Sequence, residues 1–143
     1  MGADPTDVVG RRVGAALADF VVLFLLFLLL GVLLGNADSG DGTASVRLEG
    51  VDFLLWLVAS LTYYGVLEAI DGQTLGKRLL GIRVVADDGQ TKASGRQIAI
   101  RTLLRLIDGI AFYAVALAVV LATGERRQRV GDLAAGTVVV AAR

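Results

Sequence analysis

The chain has 143 residues, 55% hydrophobic and 20% charged, with a mean hydropathy of +0.69, whereas a soluble domain usually carries about 25% charged and about 45–50% apolar residues. Its 14 basic and 14 acidic residues cancel, so no net field favours nucleic acid. The absence of cysteine and histidine excludes disulfides, thiolate chemistry and the commonest zinc sites.

The apolar residues lie in long blocks, which makes lipid the expected solvent. Val13 to Leu34 contains Asp19 as its only charge. At about 1.5 Å per residue this stretch spans roughly 33 Å, matching a hydrocarbon core of about 30 Å. Arg11 and Arg12 precede it, as in a twin-arginine export signal. The apolar run exceeds the roughly 7–15 residues of a signal core, and Gly35-Asn36-Ala37-Asp38 is a poor cleavage site, so a retained transmembrane helix is expected. Asn36 to Thr43 is rich in turn formers and reads as a solvated loop. Val51 to Ile70 then forms a second transmembrane helix, uncharged from Phe53 to Leu67.

Leu80 to Ala86 is short and β-branched, ends at Asp87-Asp88-Gly89, and reads as a strand. Ser94 followed by Gln97 fits a capping box that starts a third helical region. This region, Gln97 to Gly124, carries Arg101, Arg105 and Asp108 within about 60° on one face and is uncharged from Gly109 onward. It fits one long tilted span, an interfacial amphipathic helix leading into a short span, or a re-entrant hairpin near Gly109. Thr137 to Val140 reads as a second strand. Two short strands stabilise each other only if they share a compartment.

Charge distribution gives an orientation. The linker from Asn36 to Gly50 holds Arg47 against Asp38, Asp41 and Glu49, while Asp71 to Arg105 holds seven basic residues against three acidic. By the positive-inside rule the second loop and the N-terminus are cytoplasmic. Arg126, Arg127, Arg129 and Arg143 favour the same side for the tail.

The residues that could carry chemistry form stripes. Arg12 and Asp19 share a face of the first helix, with Asp19 two turns into the membrane, where a carboxylate is costly unless it is paired, protonated or hydrated. Ser60, Tyr64, Glu68 and Asp71 follow spacings of four, four and three, and Arg101, Arg105 and Asp108 form the third stripe. Stripes of this kind on three helices are expected to face one another. They serve either as structural ion pairs or as a cation or proton path. Trp56, Tyr63 and Tyr64 read as packing or interface residues. Gly72-Gln73-Thr74-Leu75-Gly76-Lys77-Arg78 looks like a phosphate-binding loop but has three residues between its glycines, not four, and Arg78 where Ser or Thr is required. Its plainer reading is a basic juxtamembrane segment whose Lys77, Arg78 and Arg83 meet anionic headgroups. No nucleophile and base arrangement marks an enzyme, and no cofactor or metal is expected.

Three ordered motifs carry a family resemblance. Gly10-Arg11-Arg12-Val13-Gly14-Ala15 leading into Asp19 resembles the opening of the RDD family of small integral membrane proteins. Gly72 to Val85 is similar to its central signature, and Arg129 to Thr137 to its closing motif. The family's second aspartate corresponds to Asp108 or Asp132. The resemblance implies a membrane module, with cation/proton antiport proposed for some members.

The expected architecture is an all-α helical membrane protein forming a single domain over 1–143. It has two clear transmembrane helices, a third long or re-entrant helical region and a short cytoplasmic β pair. It is expected in the cell membrane, multi-pass, with a cytoplasmic N-terminus. The expected function is a contribution to cation/proton transport through Arg12, Asp19, Glu68, Arg101, Arg105, Asp108 and Asp132. The alternative is a non-catalytic assembly or regulatory module. Expected partners are membrane lipids, monovalent cations and protons, and a second copy or another membrane protein, with no nucleic acid.

Overall fold

The computed structural model describes residues 5–110 and 130–142. The third apolar region beyond Ile110, and with it the choice between a spanning and a re-entrant course, lies outside the described residues.

Helix α1 (Pro5–Leu33) starts two turns before the apolar run, with Pro5 at the first helical position, where its missing N–H is no loss. Helix α2 (Gly50–Asp71) follows. Both are long and apolar enough to cross a membrane, and only 11% of each apolar window is buried. A core helix of a soluble protein would be mostly covered. Here Phe20, Leu25, Leu29, Val32, Leu54 and Val58 are among the large side chains left open. The two helices run antiparallel. Asp19 meets Tyr63, the Trp56 Nε1 donates to the Leu23 carbonyl at 3.1 Å, and Asn36 donates to Asp52 at 2.7 Å. Phe27 and Trp56 meet edge to face at 5.8 Å between ring centres, a pairing that contributes about 0.5–1.5 kcal/mol beyond burial.

The segment expected to be a plain loop between them is instead a β-hairpin, with β1 (Ala37–Gly40) paired antiparallel to β2 (Thr43–Val46). Asp41 and Gly42 both have positive φ, 48° and 77°. That is the type I′ geometry whose twist matches paired strands, and it explains why a helix-poor, turn-rich sequence orders here. Gly42→Ala should weaken the hairpin by about 1 kcal/mol because a Cβ is strained in that conformation. Amide exchange of Asp38 and Ser45, which face each other as a hydrogen-bonded pair, would report it, and unchanged protection would contradict it.

At the other end of the helices sits a polar cap. Gly72, at φ 77°, ends α2 and donates its N–H to the Glu68 carbonyl at 2.8 Å. Thr74 then caps the short helix α3 (Leu75–Leu79) by accepting from the Lys77 N–H. Strand β3 (Ile82–Ala86) follows, two residues later than the expected start at Leu80, because Gly81 turns the chain at φ 64°. Helix α4 (Gly95–Ile110) begins at the expected capping box, with Ser94 and Gln97 bonding reciprocally. Helix α5 (Val130–Ala135) and strand β4 (Thr137–Ala141) complete the described chain. The predicted strand pair forms, antiparallel with Val84 opposite Val139. Alternate residues Ile82, Val84 and Val139 point into a small core with Ala15, Ala93 and Ile98, against which Leu80 packs. Among the described residues the fold is therefore mostly helical with two small antiparallel strand pairs, the β3–β4 pair being the expected one and the hairpin an addition to it.

Candidate functional site

The cap closes over a buried ionic network at the Arg12 end of α1 and the Glu68 end of α2. Glu68, 1% exposed, lies in the last turn of α2. Its Oε1 accepts from Lys77 Nζ and from Arg105 Nη2 at 2.5 Å, and its Oε2 accepts from Arg101 Nε at 2.8 Å. Arg101 and Arg105 reach it together because residues four apart share one face of α4. The Arg105 guanidinium also lies 3.8 Å above the Tyr64 ring, a cation–π contact that offsets part of its desolvation. Asp132 stands in the first turn of α5. Arg12 Nη2 donates to its Oδ2 at 2.5 Å, and Arg101 Nη1 pairs with its Oδ1. Arg101 thus bridges Glu68 and Asp132, and the chain of charges ties α1, α2, α3, α4 and α5 to one another.

Asp19 takes a different role from its neighbour on the helix face. Tyr63 Oη donates to its Oδ1 at 2.7 Å, the Gly76 N–H to the same oxygen at 2.9 Å, and Thr74 Oγ1 to Oδ2 at 2.6 Å. The carboxylate is satisfied by neutral donors while 2% exposed, a standard solution for a buried charge. It pins the Thr74–Gly76 turn against α1. This also explains why the segment is no phosphate-binding loop: its Gln73, Leu75 and Gly76 N–H groups already serve Asp71, Tyr63 and Asp19.

Several expectations need correction. Lys77 does not face headgroups. The Thr74 cap and the Asp19 clamp rotate it inward, leaving it 7% exposed against Glu68. Burial pushes its ammonium well below the usual lysine range; Glu68 opposes this, and Arg101 and Arg105 add to it. Asp71, the last member of the α2 stripe, points outward to Arg78 at 2.6 Å, and Ser60 bonds the Trp56 carbonyl of its own helix. Tyr63, read as packing, is a donor to Asp19. Asp108 lies in the last turn of α4, and its side chain is outside the described residues.

Of the residues singled out in the sequence, the structure gathers Arg12, Glu68, Arg101, Arg105 and Asp132 into one network, with Asp19 about two turns along α1 from Arg12. Lys77 and Thr74 belong to the site and were missed. A Thr-x-x-Lys cap directly after a helix-ending glycine was the only signal available. Between these groups lies a cleft of about 20 Å³, lined by Arg12, Asp19, Tyr64, Lys77, Arg101 and Arg105 among others, roughly the room one water needs.

Comparison with known proteins follows the same lines. The RDD family pattern matches residues 7–136. The uncharacterized protein YckC of Bacillus subtilis is 30% identical over 136 residues, covering 90% of this chain and 80% of its own length. The uncharacterized protein YxaI of the same organism is 37% identical over 102 residues, covering 66% of this chain and 67% of its own. No solved structure matches.

Proposed function

The chain belongs to the RDD family, and from that premise we propose that it is a multi-pass membrane module whose task is assembly, not the passage of metal cations. Its family and its two apolar helices point to a membrane location. The β3–β4 ladder further requires residues 82–86 and 137–141 on one side of the bilayer, because hydrogen-bonded strands cannot pair across it. By the positive-inside rule that side is the cytoplasm, together with the N-terminus.

One observation carries the assembly reading. Both oxygens of Glu68, Asp132 and Asp19 already accept a donor, and Glu68 alone meets three cations. A sodium ion seeking Glu68 would approach an ammonium and two guanidinium groups and would have to displace them. A closed network of this kind rigidifies the cap, while the open faces of α1 and α2 meet lipid and a second copy or another membrane protein.

The second reading, cation/proton exchange, keeps one observation on its side: Asp19, inside the first apolar helix, lines a cleft with room for water. Sodium and proton flux across liposomes separates the two, with wild type, Asp19→Asn and empty liposomes compared. The assembly reading expects no flux above empty liposomes from folded, inserted protein, and chemical cross-linking of copies or co-purification of a membrane partner. A wild-type flux that disappears in Asp19→Asn would overturn it in favour of exchange.

A further inference from the structure

The helices of the cap carry charge on the inside and hydrocarbon on the outside. In α3, Lys77 is buried while Leu79 is 78% exposed, with Leu75 open on the same helix face. In α4, Arg101 is buried and Leu103 is 60% exposed, and in α5, Asp132 is buried and Leu133 is 48% exposed. Against water this arrangement is unfavourable twice over, since the charges lose hydration and the leucines keep their contact with solvent. Against lipid both signs reverse, and charges turned inward onto one another are the arrangement that hydrocarbon demands.

We propose that the cap does not stand in water above the bilayer but is sunk into it, with Leu75, Leu79, Leu103 and Leu133 against the acyl chains of the adjacent leaflet. The inference rests on the membrane reading above and adds to it the level at which the ionic network lies. Depth along the two long helices supplies a second, independent support. Gly76 of α3 rests on α1 at Ala15 and Asp19, which lie roughly 3 and 9 Å into the apolar run that starts at Val13, at about 1.5 Å per residue. At that level of α1, Val13, Leu17 and Phe20 are open as well. The Leu75 N–H bonds Tyr63, and Thr102 of α4 lies against Gly65; both α2 residues belong to the uncharged stretch from Phe53 to Leu67. Asp132 of α5 pairs with Arg12, at the mouth of the apolar run. Exposed charge gathers instead at Asp87, Asp88, Lys92 and Arg96, between β3 and the first turn of α4, where water begins. The half-open Arg78–Asp71 pair beside Leu79 sits at headgroup level, which a long arginine reaches while its stem stays in hydrocarbon.

The chain has no cysteine, so single nitroxide labels can be placed on the full-length protein in phospholipid nanodiscs without background. Leu79→Cys and Leu103→Cys probe the cap, Leu25→Cys the middle of α1 and Asp88→Cys the water. Collision of each label with oxygen, which concentrates in hydrocarbon, is compared with collision with a water-soluble nickel chelate. The oxygen-to-nickel ratio at Leu79 and Leu103 should match that at Leu25 and exceed that at Asp88 severalfold. A Leu25 label in lipid with Leu79 or Leu103 as open to nickel as Asp88 would overturn the proposal and leave the membrane reading standing. A Leu25 label open to nickel would sink the membrane reading and the proposal with it. Few collisions with either reagent at Leu79 or Leu103 would mark a protein surface over the leucines and also overturn it. If a labelled variant does not insert, wild type in nanodiscs made with an acyl-chain diazirine phospholipid decides. Adducts on Leu75 or Leu79 after irradiation support the sunken cap, and adducts confined to α1 and α2 overturn it.

Discussion

Glu68→Gln is expected to destabilise the protein by about 3–5 kcal/mol, the range for removing one partner of a buried charge cluster. The substitution keeps the side-chain volume and one carbonyl acceptor, so packing changes little. What changes is that Lys77, Arg101 and Arg105 lose the carboxylate that all three meet. Since Lys77 belongs to α3 and the two arginines to α4, the cap loses its attachment to α2 at the same moment. The check is the midpoint of thermal unfolding in detergent, with the yield of monodisperse protein as a second readout. Asp71→Asn provides the comparison, because the Asp71–Arg78 pair is about two-fifths exposed on both sides, and surface pairs contribute about 0–1 kcal/mol. Equal shifts for the two variants would show that the network does not hold the fold.

Gly76→Ala should cost about 2–3 kcal/mol, at the upper end of what overpacking does. A Cβ at this position would collide with the Ala15 carbonyl oxygen and come within 2.9 Å of Asp19 Oδ1. Retreat is blocked, since the Gly76 N–H is held by that same carboxylate at 2.9 Å. Moving α3 away from α1 therefore breaks the clamp that orients Lys77. Faster exchange of the Gly76 amide should accompany the lowered unfolding midpoint. Gly10→Ala is the matching control: nothing lies within 4 Å of its added methyl group. Alanine in place of a helical glycine should then stabilise by about 0.5–1 kcal/mol. A Gly76→Ala protein as stable as wild type would mean that α3 does not rest on α1 as closely as the geometry requires.

What the sequence carried was whatever local periodicity and solvent demand. The two apolar helices were legible because a run such as Val13 to Leu34 has one charge in a length that fits a bilayer, and nothing beyond the run itself is needed to see it. The capping box at Ser94 and Gln97, the two strands and the one-faced grouping of Arg101 and Arg105 were legible for the same reason. Each depends on spacings of two, three or four residues. The hairpin was hidden only because Asp41-Gly42 was flanked by polar residues with no apolar alternation to announce strands.

The partnerships were another matter, because they join residues far apart in the chain. Composition and spacing put Arg12 and Asp19 on one helix face, yet the fold sends Arg12 to Asp132 and gives Asp19 to Tyr63, Thr74 and Gly76. No spacing rule could make that choice, since it is decided by where α5 and α3 come to rest. The inward turn of Lys77 depends likewise on Gly72, Thr74 and Asp19 acting together. The sequence by itself determined that this protein has two apolar helices long enough to cross a membrane, with a set of ionisable residues on and beside them, because burying charge and exposing hydrocarbon are costs set by residue type. Only the tertiary structure decided which charges meet and that they close into one network, because those contacts depend on how separate elements pack.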